Sequence, residues 1–127
     1  MLAGSKEKLG DRLMPGSGNA QAVVDLVHLA HFTMNDDALA AEVLELFVAN
    51  APKYLSQMRD AHSADDWRLA AHTLKGSARA IGAWKVACAA EAAECMANDC
   101  GGQMCQSVLI ELDGTLAETI QFIENIT

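Results

Sequence analysis

Apolar residues recur at intervals of three and four through four long stretches of this chain, and residues that start or stop helices stand between them. A chain patterned in this way buries one stripe of each helix against the others and has little use for a sheet. The clearest stretch runs through Trp67, Ala71, Leu74, Ala78 and Ile81 and stops at Gly82. Ser63, Ala64, Asp65 and Asp66 open it as a capping-box-like start, with Ser63 set to accept from the first-turn amides and Asp66 at the third helical position. Upstream, Asn35, Asp36 and Asp37 offer an N-cap and an acidic first turn to a long helix whose stripe reads Leu39, Val43, Leu46, Phe47, Asn50, Tyr54, Met58 and Ala61. Pro52 removes the amide that would bond to Val48, which predicts a kink or local break in that helix rather than two separate ones. Downstream, Val86, Ala89, Ala90, Ala93 and Ala97 imply close helix contact, and Asn98 to Gly102 read as a turn. A last helix follows with Cys105, Leu109, Leu112, Leu116, Thr119 or Ile120, and Ile123, near a heptad seam. Ahead of all these, Val23, Val24, Leu26, Val27 and Ala30 suit a short lid helix.

The balance of 23 Ala and 14 Leu against 7 Val and 5 Ile favours helix formers over the β-branched residues of strands. The expected fold is all-α: an up-down-up-down four-helix bundle with a short N-terminal capping helix. With 127 residues in all, one domain is expected over 21–127, and the Gly- and Pro-containing residues 1–20 read as a flexible leader or linker. A net charge of -8 argues against nucleic acid as a partner, since nothing would drive counterion release from a phosphate backbone. No apolar run reaches the length of a membrane helix, and the first 20 residues lack the centre of a signal peptide, so a cytoplasmic protein without membrane contact is expected, as a monomer. Cys88, Cys95, Cys100 and Cys105 fit neither a zinc pattern nor a disulfide framework and read as thiols in a reducing compartment, with Cys88 and Cys95 half-buried beside the seam.

The chemistry gathers around His72. On a wheel of about 100° per residue with Trp67 at zero, the core stripe stays within about 40° of zero, while His72 falls near 140°. Lys75, Arg68 and Arg79 fall near 80°, 100° and 120° on the same wheel, and Gly76 near 180°. From Trp67 to Ala90 there are four cations, Arg68, Lys75, Arg79 and Lys85, and no acid, so the basic face is local to an otherwise acidic chain. Such a face suits an anion held beside an imidazole. Neutral imidazole is a nucleophile near neutral pH without a base to activate it, and a phosphoryl group placed on it would meet Lys75 one turn away. Gly76 leaves room beside the ring and costs the helix about 1 kcal/mol relative to Ala, which a purely structural helix has no reason to bear. Taken singly, each of these is an ordinary surface residue; their joint placement points to chemistry.

His72, Thr73, Leu74, Lys75, Gly76 and Ser77, with Gly82 and Ala83 closing the helix, resemble the histidine-containing phosphotransfer (HPt) motif H-x-L-K-G-x-x-x-x-x-G. A looser likeness in helix layout extends from about residue 35 to 126, with Ala51-Pro52 in the second helix and Ala70-Ala71 leading into His72. The resemblance implies that His72 is the phosphorylated residue, that Lys75 steadies the phosphoryl oxygens and that Gly76 permits docking. Arg68 and Arg79 join as partner-binding residues from the wheel rather than from the family. A phosphorelay intermediary is implied, taking a phosphoryl group from the aspartyl phosphate of one receiver domain and passing it to another. Its partners would be receiver domains of hybrid histidine kinases and response regulators. No cofactor is expected on this chain, the Mg²⁺ of such a transfer belonging to the receiver's acidic pocket. Without a glycine-rich nucleotide loop the chain should be a phosphocarrier and not an ATP-dependent kinase.

The competing reading is a metal- or ligand-binding helical bundle without phosphotransfer. Asp25, His28 and His31 step by three on the short first helix, but the four long helices have no Glu-x-x-His to build a bundle metal site.

Overall fold

The computed structural model describes residues 22–99 and 103–127. They form α1 (Leu26–Phe32), α2 (Asp37–Arg59), α3 (Ala64–Ile81), α4 (Trp84–Cys95) and α5 (Gln103–Ile126), with a 3-10 turn over Ala97–Asp99, and there is no strand among the described residues. Helix α3 packs on α2 and α4, and α5 closes the ring by packing on α4 and α2. Helix α1 lies against α3 and α2 as a cap on the four-helix bundle. The expected leader at 1–20 lies outside the described residues.

The helix boundaries follow from the caps. Asp36 accepts from the Leu39 amide at 3.0 Å to start α2, and Ser63 accepts from the Asp66 amide at 3.1 Å to start α3. Gly82 ends α3 in the left-handed region, with φ 79°, and the Ala83 amide donates back to the Ala78 carbonyl at 2.8 Å. Helix α2 continues through Pro52 as one helix; the proline is on its exposed side, where water can replace the missing amide.

The predicted stripe of α3 is the observed one: Trp67, Ala71, Leu74, Ala78 and Ile81 are all buried, joined by Ala70. The indole of Trp67 is buried between helices and donates to the Ala93 carbonyl of α4 at 2.6 Å. The stripe of α2 differs from expectation. Its buried line is Ala40, Leu44, Phe47, Ala51, Leu55 and Met58, whereas Leu46 is 55% exposed and Val43 and Tyr54 are half-buried. The alanines let α2 come close to its neighbours, and this turns the bulkier Val43, Leu46 and Tyr54 into a groove shared with Phe32, Ser77 and Ala80. In α5, Val108 is buried while Leu109 is half-buried, and Thr119 rather than Ile120 occupies the seam. Thr119 can do so because its hydroxyl donates to the Thr115 carbonyl at 2.8 Å. Cys88 and Cys95 are exposed, not half-buried as expected, and Cys105 is buried.

Two of the three carboxylate and imidazole groups near α1, Asp25 and His28, are occupied in holding the cap, and His31 is exposed. The buried Asp25 carboxylate accepts from the His28 amide and from the Trp84 indole, both at 3.0 Å, and the Asp25 amide donates to the Gly82 carbonyl at 2.9 Å. The His28 ring meets the Trp84 ring edge-on, with centroids 4.8 Å apart. Asp25 therefore fastens α1 to the α3–α4 turn, and it does so at close quarters: a Cβ on Gly82 would stand 2.8 Å from the Asp25 Cβ. Among the described residues no group of three or more His, Cys, Asp or Glu is placed to hold a metal ion, and no helix is long and apolar enough to cross a membrane.

Candidate functional site

The stretch from Trp67 to Ile81 places His72 midway along α3, on the side turned away from the buried stripe, with its side chain 63% exposed. Lys75 follows one turn later and lies lower, only 14% exposed, on the flank facing α4. Gly76 is exposed, and a Cβ there would meet nothing within 4 Å. The missing side chain leaves open space on this face of α3 rather than room for a packing neighbour.

The cations do not stand alone. Although the stretch from Trp67 to Ala90 holds no acid, α4 supplies two just beyond it, Glu91 and Glu94. Glu94 reaches back between α4 and α3. One of its carboxylate oxygens lies 2.9 Å from His72 Nδ1, and the other accepts from Lys75 Nζ at 2.6 Å. Arg79 donates to Glu91 at 3.3 Å, and Arg68 donates to Asp65 at 2.8 Å and to the Asn98 side chain at 3.3 Å. The bare basic face expected from the sequence is thus a face of paired charges on its α4 side. Pairing by Lys75 holds the Glu94 carboxyl below the usual carboxylate range, and the contact with His72 acts in the same direction against the opposing effect of partial burial. Glu94 is therefore an anion near neutral pH, and an anionic carboxylate can only accept hydrogen bonds. The proton of the neutral His72 ring must then sit on Nδ1, which leaves the lone pair on Nε2.

The opposite flank of His72 is uncharged. Leu69, 67% exposed, Thr73, Gly76 and Ala80 lie on the α2 side of α3, and the Thr73 hydroxyl is turned inward to the Leu69 carbonyl at 2.9 Å. An exposed imidazole thus stands on a border, with an ion-paired lysine on one side and apolar or small residues on the other. The family model for the Hpt domain matches residues 42–124, which takes in the last three quarters of α2, all of α3 and α4, and most of α5. The chain belongs to the Hpt domain family. No curated protein and no solved structure matches it. Hpt domains act in two-component phosphotransfer and work with receiver domains, so the Hpt domain here has its helical-bundle fold and its general role from that membership. Of the residues singled out in the sequence, His72, Lys75 and Gly76 lie together on one patch of the Hpt domain, and Arg68 and Arg79 flank it in separate ion pairs. Glu94 was missed because it is 22 positions from His72 and belongs to another helix. The available signal was the pair Glu91 and Glu94, spaced as neighbours on one face of α4 directly after the acid-free stretch.

Proposed function

We propose that the chain is a phosphorelay intermediary that accepts a phosphoryl group on His72 from the aspartyl phosphate of one receiver domain and passes it to the aspartate of another. The Nε2 lone pair attacks phosphorus in line, the bond from phosphorus to the aspartyl oxygen breaks, and the carboxylate leaves with the electron pair. Both the donor and the product are labile phosphoryl compounds, so the exchange runs in either direction. Lys75 lies within reach to balance the charge of the bound phosphoryl oxygens, and Gly76 gives the receiver access. Arg68 and Arg79 edge the docking face. Mg²⁺ enters with the receiver, whose acidic pocket supplies the oxygen ligands that this patch does not. The exchange takes place in the cytoplasm, with receivers of hybrid kinases and response regulators as the partners.

The observation that carries this reading is an exposed imidazole, bonded through Nδ1 to the same carboxylate as Lys75, on the third helix in chain order of an Hpt-family chain. The test is transfer of label from a receiver domain carrying labelled aspartyl phosphate. The expected product is labelled, acid-labile and base-stable in the wild type, and unlabelled in His72→Gln. Label retained by His72→Gln would overturn the assignment. In the same assay Lys75→Ala should slow transfer or shorten the life of the phosphohistidine while leaving the helical content unchanged.

A further inference from the structure

Helix α5 departs from the usual build of a surface helix. Its buried line, which includes Val108, Leu112, Leu116 and Ile123, lies toward α4 and α2. The side opposite such a line ordinarily carries the charges. On a wheel of about 100° per residue with Leu112 at zero, Ser107, Ile110, Gly114, Ala117 and Gln121 fall within about 40° of 180°, and none of them is charged. All five are exposed, Ile110 at 72%. Gly114 costs the helix about 1 kcal/mol relative to Ala, and a Cβ there would meet nothing within 4 Å, so no neighbour among the described residues requires it. Carboxylates border this uncharged line on both sides: Glu111 and Glu118 fall near -100° and -120° on the same wheel, Asp113 and Glu124 near 100° and 120°. The chain has no Lys or Arg after Lys85, and among the described residues only Asp113 of these acids has an ion-pair partner, Arg59 of α2 at 2.6 Å.

We infer that the outer face of α5 binds a helix of a partner protein whose own apolar line is bordered by Lys or Arg on both sides. Gly114 and Ala117 let such a helix approach to an axis separation of about 8 Å, and Ile110 packs against its apolar line. Its cations then meet the carboxylates along both borders, as flanking charges do in paired helices. A second copy of this chain does not fit. It would set four carboxylates against four, with no cation on either α5 to answer them. Ile110 is also the only large apolar side chain on a line about 21 Å long, too little apolar surface for a stable dimer. Helix α3 packs on α2 and α4 across the bundle from α5, so a helix docked here leaves the His72 face open. The contact is an anchor: it holds the Hpt domain at a fixed place and raises the effective concentration of whatever meets His72 there. It concerns holding rather than transfer, and so stands apart from the phosphotransfer reading.

The probe is a synthetic amphipathic peptide with a Leu–Ala line bordered by Lys on both sides, titrated into the ¹⁵N-labelled full chain. Amide shifts should move along α5 from Ser107 to Gln121 and stay unchanged around His72, and binding should weaken as salt is raised. Gly114→Leu, which has open space for its side chain within the chain, should keep the fold and weaken binding by roughly tenfold or more. A permuted peptide of the same composition, with the apolar line broken, should bind equally weakly. No shift in α5, equal binding of the two peptides, or undiminished binding by Gly114→Leu would overturn the inference. So would either rival occupant. A second copy would show as a wild-type dimer in sedimentation equilibrium that Gly114→Leu dissociates. The chain's own first residues would show as α5 amide shifts in the peptide-free triple variant Lys6→Glu, Lys8→Glu, Arg12→Glu. Labelling of His72 by a phosphorylated receiver should be the same with and without saturating peptide, and slowed labelling would mean that the two faces are not separate. A wild type that takes no label from any receiver would sink the phosphotransfer reading and leave the α5 titration standing.

Discussion

Gly76 and Gly82 are six residues apart around the second half of α3, and a methyl group would be accommodated at the first and rejected at the second. At Gly82 the left-handed backbone and the approach of Asp25 leave no space, because a Cβ would stand 2.8 Å from the Asp25 Cβ and 2.9 Å from its carbonyl oxygen. At Gly76 the backbone is helical and a Cβ meets nothing. Gly82 is thus required by this chain itself, to turn α3 into α4 and to let the α1 cap close over the turn. Gly76 is required by nothing among the described residues, and it weakens the helix that contains it. One motif therefore mixes a residue that builds the bundle with a residue for which the bundle has no packing use.

Substitution at the two positions should separate the two demands. Gly82→Ala forces an L-residue into the left-handed region and against Asp25, and is expected to destabilise the fold by about 2–4 kcal/mol in denaturant melts. Its phosphotransfer below the unfolding transition should survive, because His72 lies ten positions away; loss of transfer in the folded variant would erase the division. Gly76→Ala should do the reverse, stabilising the protein by about 1 kcal/mol while slowing transfer from a receiver. Unchanged receiver kinetics in Gly76→Ala would show that the open space is not used in docking. The smallest effect is expected at Arg79, whose partner Glu91 is equally exposed: Arg79→Ala should change stability by about 0–1 kcal/mol, with any effect on transfer greater at low salt than at high. A salt-independent loss of transfer would mean that Arg79 makes a specific contact rather than adding to the field of the patch.

Much of this was legible in the sequence, and the exceptions have a common cause. In α3 the large residues Trp67, Leu74 and Ile81 lie on the same line as the buried alanines, so periodicity and burial agree. In α2 they part company: Leu44, Phe47, Leu55 and Met58 hold the core line with Ala40 and Ala51, and the equally apolar Val43, Leu46 and Tyr54 beside that line border a groove. Where two adjacent lines of one helix are both apolar, periodicity alone does not say which of them faces the core. The site shows the same limit in electrostatic form. His72, Lys75 and Gly76 share one helix and are related by a fixed rotation, so their placement follows from spacing alone. Glu94 depends on the register of α4 against α3, which no single-helix pattern contains.

That register has a mechanical origin in the core. The Trp67 indole is bonded to the carbonyl of Ala93, and Ala93 directly precedes Glu94, while Trp67 precedes His72 on its own helix by five positions. Both ends of the exposed His72–Glu94 contact are therefore measured from one buried joint. A slip of a single residue along α4 moves its side chains by about 1.5 Å and swings them by about 100°, more than a hydrogen bond tolerates. The indole serves as a dowel between two parts: buried and far from solvent itself, it sets the tolerance to which the exposed imidazole is aligned.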